Sequence, residues 1–536
     1  MMSLYLLLLI FIVICTVLLS MMPTIDGGKI LVFPLDGSHW VNMKVLIEEL
    51  HSKDHEITLI RPEDNWYIKE KSSFYTSITI PNTGGFEEEF FSTFVSRQLD
   101  IQRQGLSFWS QIWSRIKIEM EVHEQFFKFH KRMSEMVVEI FENEDLIQFL
   151  QKAEFDVVLT DPSIGGGTML AHHLRIPLVF NVRWTIQGEA HFVSAPSPLS
   201  YCPFTATKLT DKMTFPQRVI NILAYTMGTY TMASITEPNY KPLVHRYFGP
   251  DVDYSWFFQE ADIWLMRNDF VFEFPRPTMP NFVYIAGFQC KPARPLPQDL
   301  EEFVQSSGEH GLIVMSLGTI VGQLPLDVTE EIAAAFAEVP QKVIWRYIGP
   351  RPINLGNNTL LVDWLPQNDL LGHPKTRIFV AHGGTNGVQE AIYHGVPLVG
   401  LPLVFDQPDN LSRMSAKGAA TIVDFSTLDR NTFLSALKEV LYKPSYRENM
   451  QRLSRLHRDQ PIKPLDRAVF WIEYVMRHKG APHLRTQASK LSWIVYNSVD
   501  VVVTLLGVIL FATLAGISIV KFLWKVIFCT RKVKHE

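Results

Sequence analysis

One stretch of this chain gathers residues suited to holding a diphosphate. In Phe379-Val380-Ala381-His382-Gly383-Gly384-Thr385-Asn386-Gly387-Val388-Gln389-Glu390 an apolar strand runs into a glycine-rich turn and then a helical pattern. The N-terminus of such a helix offers free backbone amides with little side-chain bulk over them, a natural diphosphate site. His382, Asn386 and Glu390 recur at i, i+4 and i+8. On a helix they share one face, about 6 Å apart per step. That line suits one extended ligand, with His382 donating to phosphate and Glu390 accepting both hydroxyls of a ribose. The same residues also fit a plainer picture, a capped helix in a βα turn with Glu390 in water. A second candidate is Ser38-His39-Trp40, in the loop after the apolar run Lys29-Ile30-Leu31-Val32-Phe33-Pro34. Imidazole titrates near neutrality, so a histidine at a strand end can take a proton from a hydroxyl. A lone loop histidine is otherwise a surface or capping group. Asp161 occupies an equivalent place, directly after the run 155–160.

The elements that must position these groups follow from periodicity. Residues 29–34 and 56–60 read as buried strands, and Val41, Val45, Leu46 and Leu50 between them have helical spacing. Strand, helix, strand at this separation is a βαβ unit and predicts a parallel sheet. The rhythm recurs at 155–160 and 176–180. Cys290-Lys291-Pro292-Ala293-Arg294-Pro295-Leu296-Pro297 then resists both helix and central strand. A new series of strands begins at 311–316 and continues at 343–347, 360–362, 378–380 and 397–400. The expected fold is α/β, with two Rossmann-like domains facing across a cleft and ligands at the C-terminal ends of the strands.

With the elements in place, the residues resemble the signature of the UDP-glycosyltransferase family. The matching block runs from Trp364-Leu365-Pro366-Gln367 through His382-Gly383-Gly384 to Phe405-Asp406-Gln407-Pro408-Asp409-Asn410. The likeness extends over nearly the whole chain and is closest to the animal membrane-bound branch, the UDP-glucuronosyltransferases. It implies a GT-B fold and a set of roles. Trp364 would stack on uracil and Gln367 lie near the nucleoside. Ser316, in Met315-Ser316-Leu317-Gly318-Thr319, would contact phosphate together with His382, Gly384 and Asn386. Glu390 would hold the ribose, and Asp406 and Gln407 the sugar hydroxyls. His39 would be the base and Asp161 its acidic partner, fixing the tautomer and stabilising the imidazolium. Arg267 matches an arginine of the glucuronosyl branch, where a guanidinium suits the sugar carboxylate; a structural ion pair is the alternative. The implied reaction is direct displacement with inversion at the anomeric carbon, using no metal and no cofactor beyond UDP-glucuronic acid as co-substrate. Asp251-Val252-Asp253 resembles the metal motif of a different glycosyltransferase fold, but it follows Phe248-Gly249-Pro250 rather than an apolar strand and reads as a chance match.

The ends of the chain suggest where this chemistry takes place. Residues 4–19 carry no charge and read as a secretory signal core or an uncleaved anchor. Residues 501–520 are apolar throughout, about the length that spans a bilayer, and Lys521, Lys525, Arg531, Lys532 and Lys534 follow. Lysines third and fifth from the terminus match a dilysine retrieval signal; a basic stop-transfer flank is the alternative. The expected division is a signal peptide at 1–26, an acceptor-binding domain at 27–290 and a linker at 291–310. A donor-binding domain at 311–480 follows, then a juxtamembrane segment at 481–500, a transmembrane helix at 501–520 and a cytosolic tail at 521–536. This makes a single-pass type I protein of the endoplasmic reticulum membrane with luminal catalytic domains, and membrane tethering favours self-association. The net charge of -5, without a basic stripe, argues against a nucleic-acid partner. Only Cys202 and Cys290 belong to the expected luminal body, and their pairing stays open. Asn357-Asn358-Thr359 and Asn410-Leu411-Ser412 are glycosylation sequons. Phe90, Phe91, Phe94, Phe108, Trp109 and Trp113 fit a small lipophilic acceptor's pocket, a membrane-facing surface or a plain core. Two other readings remain: transfer from UDP-glucose, UDP-galactose or UDP-N-acetylglucosamine to a lipid or sterol, and a non-catalytic membrane-anchored binder. A dinucleotide-dependent dehydrogenase is disfavoured, because no Gly-x-Gly-x-x-Gly follows the first strand.

Overall fold

The computed structural model describes residues 27–529, except 82–87, 104–107, 184, 186–188 and 319–323. The expected signal segment and the dilysine tail lie outside the described residues, as do the side chains of Phe90, Phe91 and Phe108. The chain forms two compact units, Met1–Leu484 and Arg485–Glu536.

The first unit contains two sheets of the same design. The first joins β1 (Lys29–Phe33), β2 (Glu56–Pro62), β3 (Thr76–Ile80), β4 (Val157–Thr160), β5 (Leu178–Val182), β6 (Ile263–Met266) and β7 (Phe282–Tyr284). Their order is β3-β2-β1-β4-β5-β6-β7, with every pairing parallel. The second joins β8 (Leu312–Ser316), β9 (Lys342–Arg346), β10 (Thr359–Val362), β11 (Thr376–Ala381), β12 (Leu398–Gly400) and β13 (Ala420–Ile422). Its order, β10-β9-β8-β11-β12-β13, repeats the first and is again all parallel. Uninterrupted apolar strands are what a sheet covered on both faces requires. Along β1, Leu31 and Phe33 enter one core while Ile30 and Val32 enter the core on the opposite face. Ile313 and Met315 are likewise separated from Leu312 and Val314 along β8. Successive side chains of a strand point to opposite faces, so each sheet is a middle layer between helices.

The helices that bear on the cleft are α1 (Ser38–His51), α2 (Phe108–Glu142), α3 (Phe215–Phe248), α4 (Thr385–His394) and α5 (Gln407–Ala416). Two segments lie elsewhere than their place in the sequence suggests. Residues 298–305 of the expected linker form a helix whose Val304 is buried in a core of the second sheet. The helix α6 (Pro464–His478) falls inside the expected second domain but packs on the first sheet. Its Ala468, Val469, Ile472, Val475 and Met476 recur at helical spacing and enter the core that holds Ile30 and Val32. Glu473 accepts from His55 at 3.3 Å, and the Ala481 amide donates to Asp262 at 2.7 Å. The chain therefore closes the first half with its own distant end.

The second unit carries α7 (Val499–Cys529). Within Val499–Phe528 an 18-residue stretch has a mean hydropathy of 2.5, and the helix is long and apolar enough to cross a membrane. The helix exceeds the apolar run 501–520 because it continues through Lys521 and Lys525.

Candidate active site

A cavity of about 910 Å³ is lined by loops from both sheets. Each sheet reverses its strand order between its first and fourth strands, and in open α/β sheets ligands sit in the crevice outside that point. On the first sheet the crevice lies between β1 and β4, which are neighbours through Phe33 and Thr160. The chain leaves β1 through Pro34–Gly37 and enters α1, so His39 sits on that helix's first turn and lines the cavity. Asp161 follows β4 and is fully buried behind it. His39 Nδ1 donates to Asp161 Oδ2 at 2.6 Å. Asp161 Oδ1 accepts from the Ser163 amide at 2.9 Å and its hydroxyl at 2.5 Å. Burial pushes the Asp161 carboxyl up, but His39 and Ser163 outweigh it and hold it below its ordinary value. Burial holds the imidazole below its ordinary value, against the pull of Asp161. At neutral pH the pair is therefore a carboxylate bonded to a neutral imidazole, with Nε2 available as a base.

The second sheet presents β8 and β11 at its own reversal. Ser316 ends β8, and its hydroxyl accepts from the Gly318 amide at 3.3 Å. Gly318 has φ of +84°, and a Cβ there would lie 2.7 Å from the His382 ring; one on Gly384 would lie 2.4 Å from His382 Nε2. The two glycines leave the space this imidazole occupies. Burial holds His382 down to about 4, against the charge of Asp406, so it is neutral; among the described residues its buried Nδ1 has no hydrogen-bond partner. Gly384 caps α4 without a side chain over the first amides. Glu390 accepts from Gln367 Nε2 at 2.6 Å, and burial pushes it up to about 7. Trp364 is 68% exposed, with the Arg346 guanidinium 5.5 Å from its ring centre, so a flat indole face stands at the cavity edge. Asp406 Oδ2 accepts from Thr385 Oγ1 and Asn410 Nδ2, both at 2.8 Å. Burial raises that carboxyl, but Arg183 and these donors hold it below its ordinary value. Gln407 Oε1 accepts from the Leu403 and Val404 amides at 2.9 and 3.0 Å, which fixes the side chain at the start of α5.

Ten of the residues singled out from the sequence line this one cavity: His39, Ser316, Trp364, Gln367, His382, Gly384, Asn386, Glu390, Asp406 and Gln407. Asp161 stands behind His39. Arg267, one residue past β6, is 4% exposed and lies outside the lining, and among the described residues none of its three guanidinium nitrogens has a hydrogen-bond partner. His382, Asn386 and Glu390 do not share a helix: α4 begins at Thr385, and His382 sits in the turn after β11. Only Asn386 and Glu390 keep the expected helical relation. Asp253 Oδ1 accepts from the Ser255 amide and hydroxyl, at 2.7 and 2.5 Å, in a surface turn away from the cleft. Cys202 and Cys290 are both free. Asn410 is buried and donates to Gly383 O at 2.9 Å, so its sequon is closed in the folded chain, whereas Asn357 is exposed.

The sequence reading missed several groups. The cavity's apolar wall comes from Phe126, Phe129, Met133 and Met136 on α2 and Ile235 on α3. Among the expected aromatics whose side chains are described, none lines it: Trp109 and Trp113 are 70% and 62% exposed, and Phe94 packs against the core of the second sheet. Arg183, one residue past β5, lines the cavity and donates from Nη1 to Ser38 Oγ. Its place directly after a strand was the signal that could have found it. Asp409 accepts from the Ala206 and Lys208 amides at 2.6 and 2.7 Å, and Gln389 Nε2 donates to the Arg267 carbonyl. These bonds hold the second half's helices against loops of the first.

Comparison with known proteins bears on this arrangement. The model of the family described as "UDP-glucoronosyl and UDP-glucosyl transferase" matches residues 28–535. Mouse UDP-glucuronosyltransferase 2A2 is 42% identical over 97% of this chain and 98% of its own. Rat UDP-glucuronosyltransferase 2A1 is 44% identical over 96% and 97%. Among solved structures, the calicheamicin glycosyltransferase CalG4 superposes with a TM-score of 0.56 at 16% identity, covering 84% of this chain and 99% of its own. The glycosyltransferase of kitacinnamycin gives 0.54 at the same identity and coverage. The fold is the two-domain GT-B glycosyltransferase fold, and the chain belongs to the UDP-glucoronosyl and UDP-glucosyl transferase family.

Proposed function

We propose that this enzyme transfers glucuronic acid from UDP-glucuronic acid to a hydroxyl of small lipophilic acceptors, with inversion to the β-glucuronide. The observation that carries this reading is one cavity with two unlike walls: a His39–Asp161 pair on one side, glycine-rich strand-to-helix turns on the other. His39 Nε2 takes the proton of the acceptor hydroxyl as that oxygen attacks the anomeric carbon. The bond from this carbon to the phosphate oxygen breaks, and its electron pair leaves with UDP. Asp161 stabilises the imidazolium that forms and keeps its orientation. The amides at the start of α4, with Ser316 and His382, take up the charge of the departing diphosphate. Asn386 lies beside them. Trp364 offers its face to uracil, Gln367 and Glu390 hold the ribose side, and Asp406 and Gln407 hold the sugar hydroxyls. The acceptor lies against the Phe126, Phe129, Met133 and Met136 wall, which is apolar and, through methionine, adaptable.

Two features support glucuronic acid over a neutral sugar. The relatives at 42% and 44% identity are named UDP-glucuronosyltransferases. Arg267 is a buried cation with no bonded partner among the described residues; burial lowers its pKa to about 9, and an anionic sugar nearby would restore it. This reading places the catalytic unit in the lumen of the endoplasmic reticulum, anchored by α7, from the basic residues that follow the helix.

The test is transfer by permeabilised microsomes from labelled UDP-glucuronic acid, UDP-glucose, UDP-galactose and UDP-N-acetylglucosamine to phenols and steroids. Transfer chiefly from UDP-glucuronic acid, lost in His39→Ala, is expected. Transfer from a neutral sugar instead would overturn the donor assignment, and transfer that persists in His39→Ala would overturn the base.

A further inference from the structure

Arg183 and Arg267 stand side by side at the edge of the cleft. Val182 pairs with Met266 in the β5–β6 ladder, so the next residue on each strand is an arginine in the same register. The Arg267 amide donates to the Val182 carbonyl at 3.2 Å, which keeps the two backbones together past the last strand residues. Only Arg183 lines the cavity. It uses one guanidinium nitrogen on Ser38 Oγ, beside the proposed base, and forms no ion pair with any described residue. Asp406, whose charge couples to it, gives its Oδ2 to Thr385 and Asn410. A guanidinium offers five N–H donors in a planar fork that matches a carboxylate. Here the guanidinium lines a cavity beside the reacting centre with one nitrogen on Ser38, and Arg267, which has no hydrogen-bond partner among the described residues, stands behind it.

We infer that Arg183 is a specificity-determining residue that grips a substrate carboxylate next to the His39–Asp161 pair. This rests on the transfer reaction proposed above. Two substrates could bring such a group: the donor sugar, or an acceptor that is itself an acid. In either case Arg183 makes the contact, and Arg267 favours it through its charge. The diphosphate is not the ligand meant, since it is assigned to the glycine turns of the other wall.

The experiment uses the full chain in microsomes, as wild type, Arg183→Lys and Arg183→Met. Donor arm: UDP-glucuronic acid, UDP-glucose and UDP compete for the site, and their affinities are compared. Acceptor arm: an aryl carboxylate and its uncharged amide compete against a phenol, and inhibition constants are compared. Loss of one bonded carboxylate is expected to weaken the charged member of one pair roughly 10- to 100-fold in Arg183→Met, with partial recovery in Arg183→Lys. The uncharged member and UDP should move by no more than about twofold. Selectivity in the donor arm assigns the sugar carboxylate, and selectivity in the acceptor arm assigns an acidic acceptor. If charged and uncharged ligands weaken in parallel in both arms, or none changes, the inference is overturned and Arg183 only braces Ser38. If Arg183→Met fails to bind UDP because it does not fold, the same comparison is read from Arg183→Lys, which keeps the charge but loses the fork. A wild type that transfers no sugar and binds no UDP would instead defeat the underlying reading.

Discussion

The two halves of the catalytic unit share one strand order and use it for opposite purposes. In the first half the β1 and β4 ends present an imidazole and a fully buried carboxylate, 2.6 Å apart. In the second half the β8 and β11 ends present glycine turns, backbone amides and a neutral histidine. The same topological reversal thus opens a crevice suited to proton transfer in one sheet and to anion binding in the other. The difference lies in the first residues after each strand. Ser38-His39 begins its helix with a side chain that reaches into the cleft, and Gly383-Gly384 begins its helix with almost none.

If this division is right, damage to one wall should spare the other. The largest effect is expected from His39→Ala, a loss of transfer on the order of 10³-fold or more with UDP affinity unchanged by calorimetry. A parallel loss of UDP binding would break the division. Asp161→Asn should lower kcat by about 10²- to 10⁴-fold, again with UDP binding retained. It also has a signed pH signature. His39 works as neutral imidazole, so kcat/KM falls as pH drops through its pKa, and burial already sets that limb below the ordinary imidazole value. Asp161 pulls the limb upward, so the Asn variant should shift it further down.

A third test asks whether the first half truly depends on α6. Ile472→Ala should cost about 2–5 kcal/mol of stability in urea unfolding, because it empties a packed position in the core on one face of the first sheet. UDP binding by the fraction still folded should be unaffected. The smallest effect is expected from Glu390→Gln, about a tenfold loss in UDP affinity, as one charge-assisted pair of ribose bonds is weakened. In the wild type Glu390 is pushed up to about 7, and ribose hydroxyls bond best to the ionised form. UDP affinity should therefore rise with pH through about 7 in the wild type, and lose that dependence in the Gln variant.

Much of this was legible without coordinates. Runs such as Ile30-Leu31-Val32-Phe33 and Leu312-Ile313-Val314-Met315 have no polar face, so they can only be middle strands of a covered sheet. A histidine or a glycine pair within a few residues of such a run falls near the strand end. Other features depend on approach through space. The Gly383-Gly384 turn removes His382 from the helical series, because a positive φ at Gly383 breaks the helix before it starts. Partners of α6 such as His55, Ile30 and Val32 are more than 400 residues away, and its apolar stripe fits either sheet equally well on paper. The exposure of Trp109 and Trp113 was equally invisible, since aromatic density does not say which side of a helix meets a core.

By itself, then, the sequence determined the strand and helix alphabet, the doubled α/β design and the side-chain types near each strand end, because these depend on local periodicity and residue identity. The tertiary structure decided which ends meet. Asp161 reaches His39 only because β4 pairs with β1, and Arg183 gains Arg267 as a neighbour only because β5 pairs with β6 in one register. Strand pairing is a non-local choice, made by how both faces of a sheet are covered, and no window along the chain contains it.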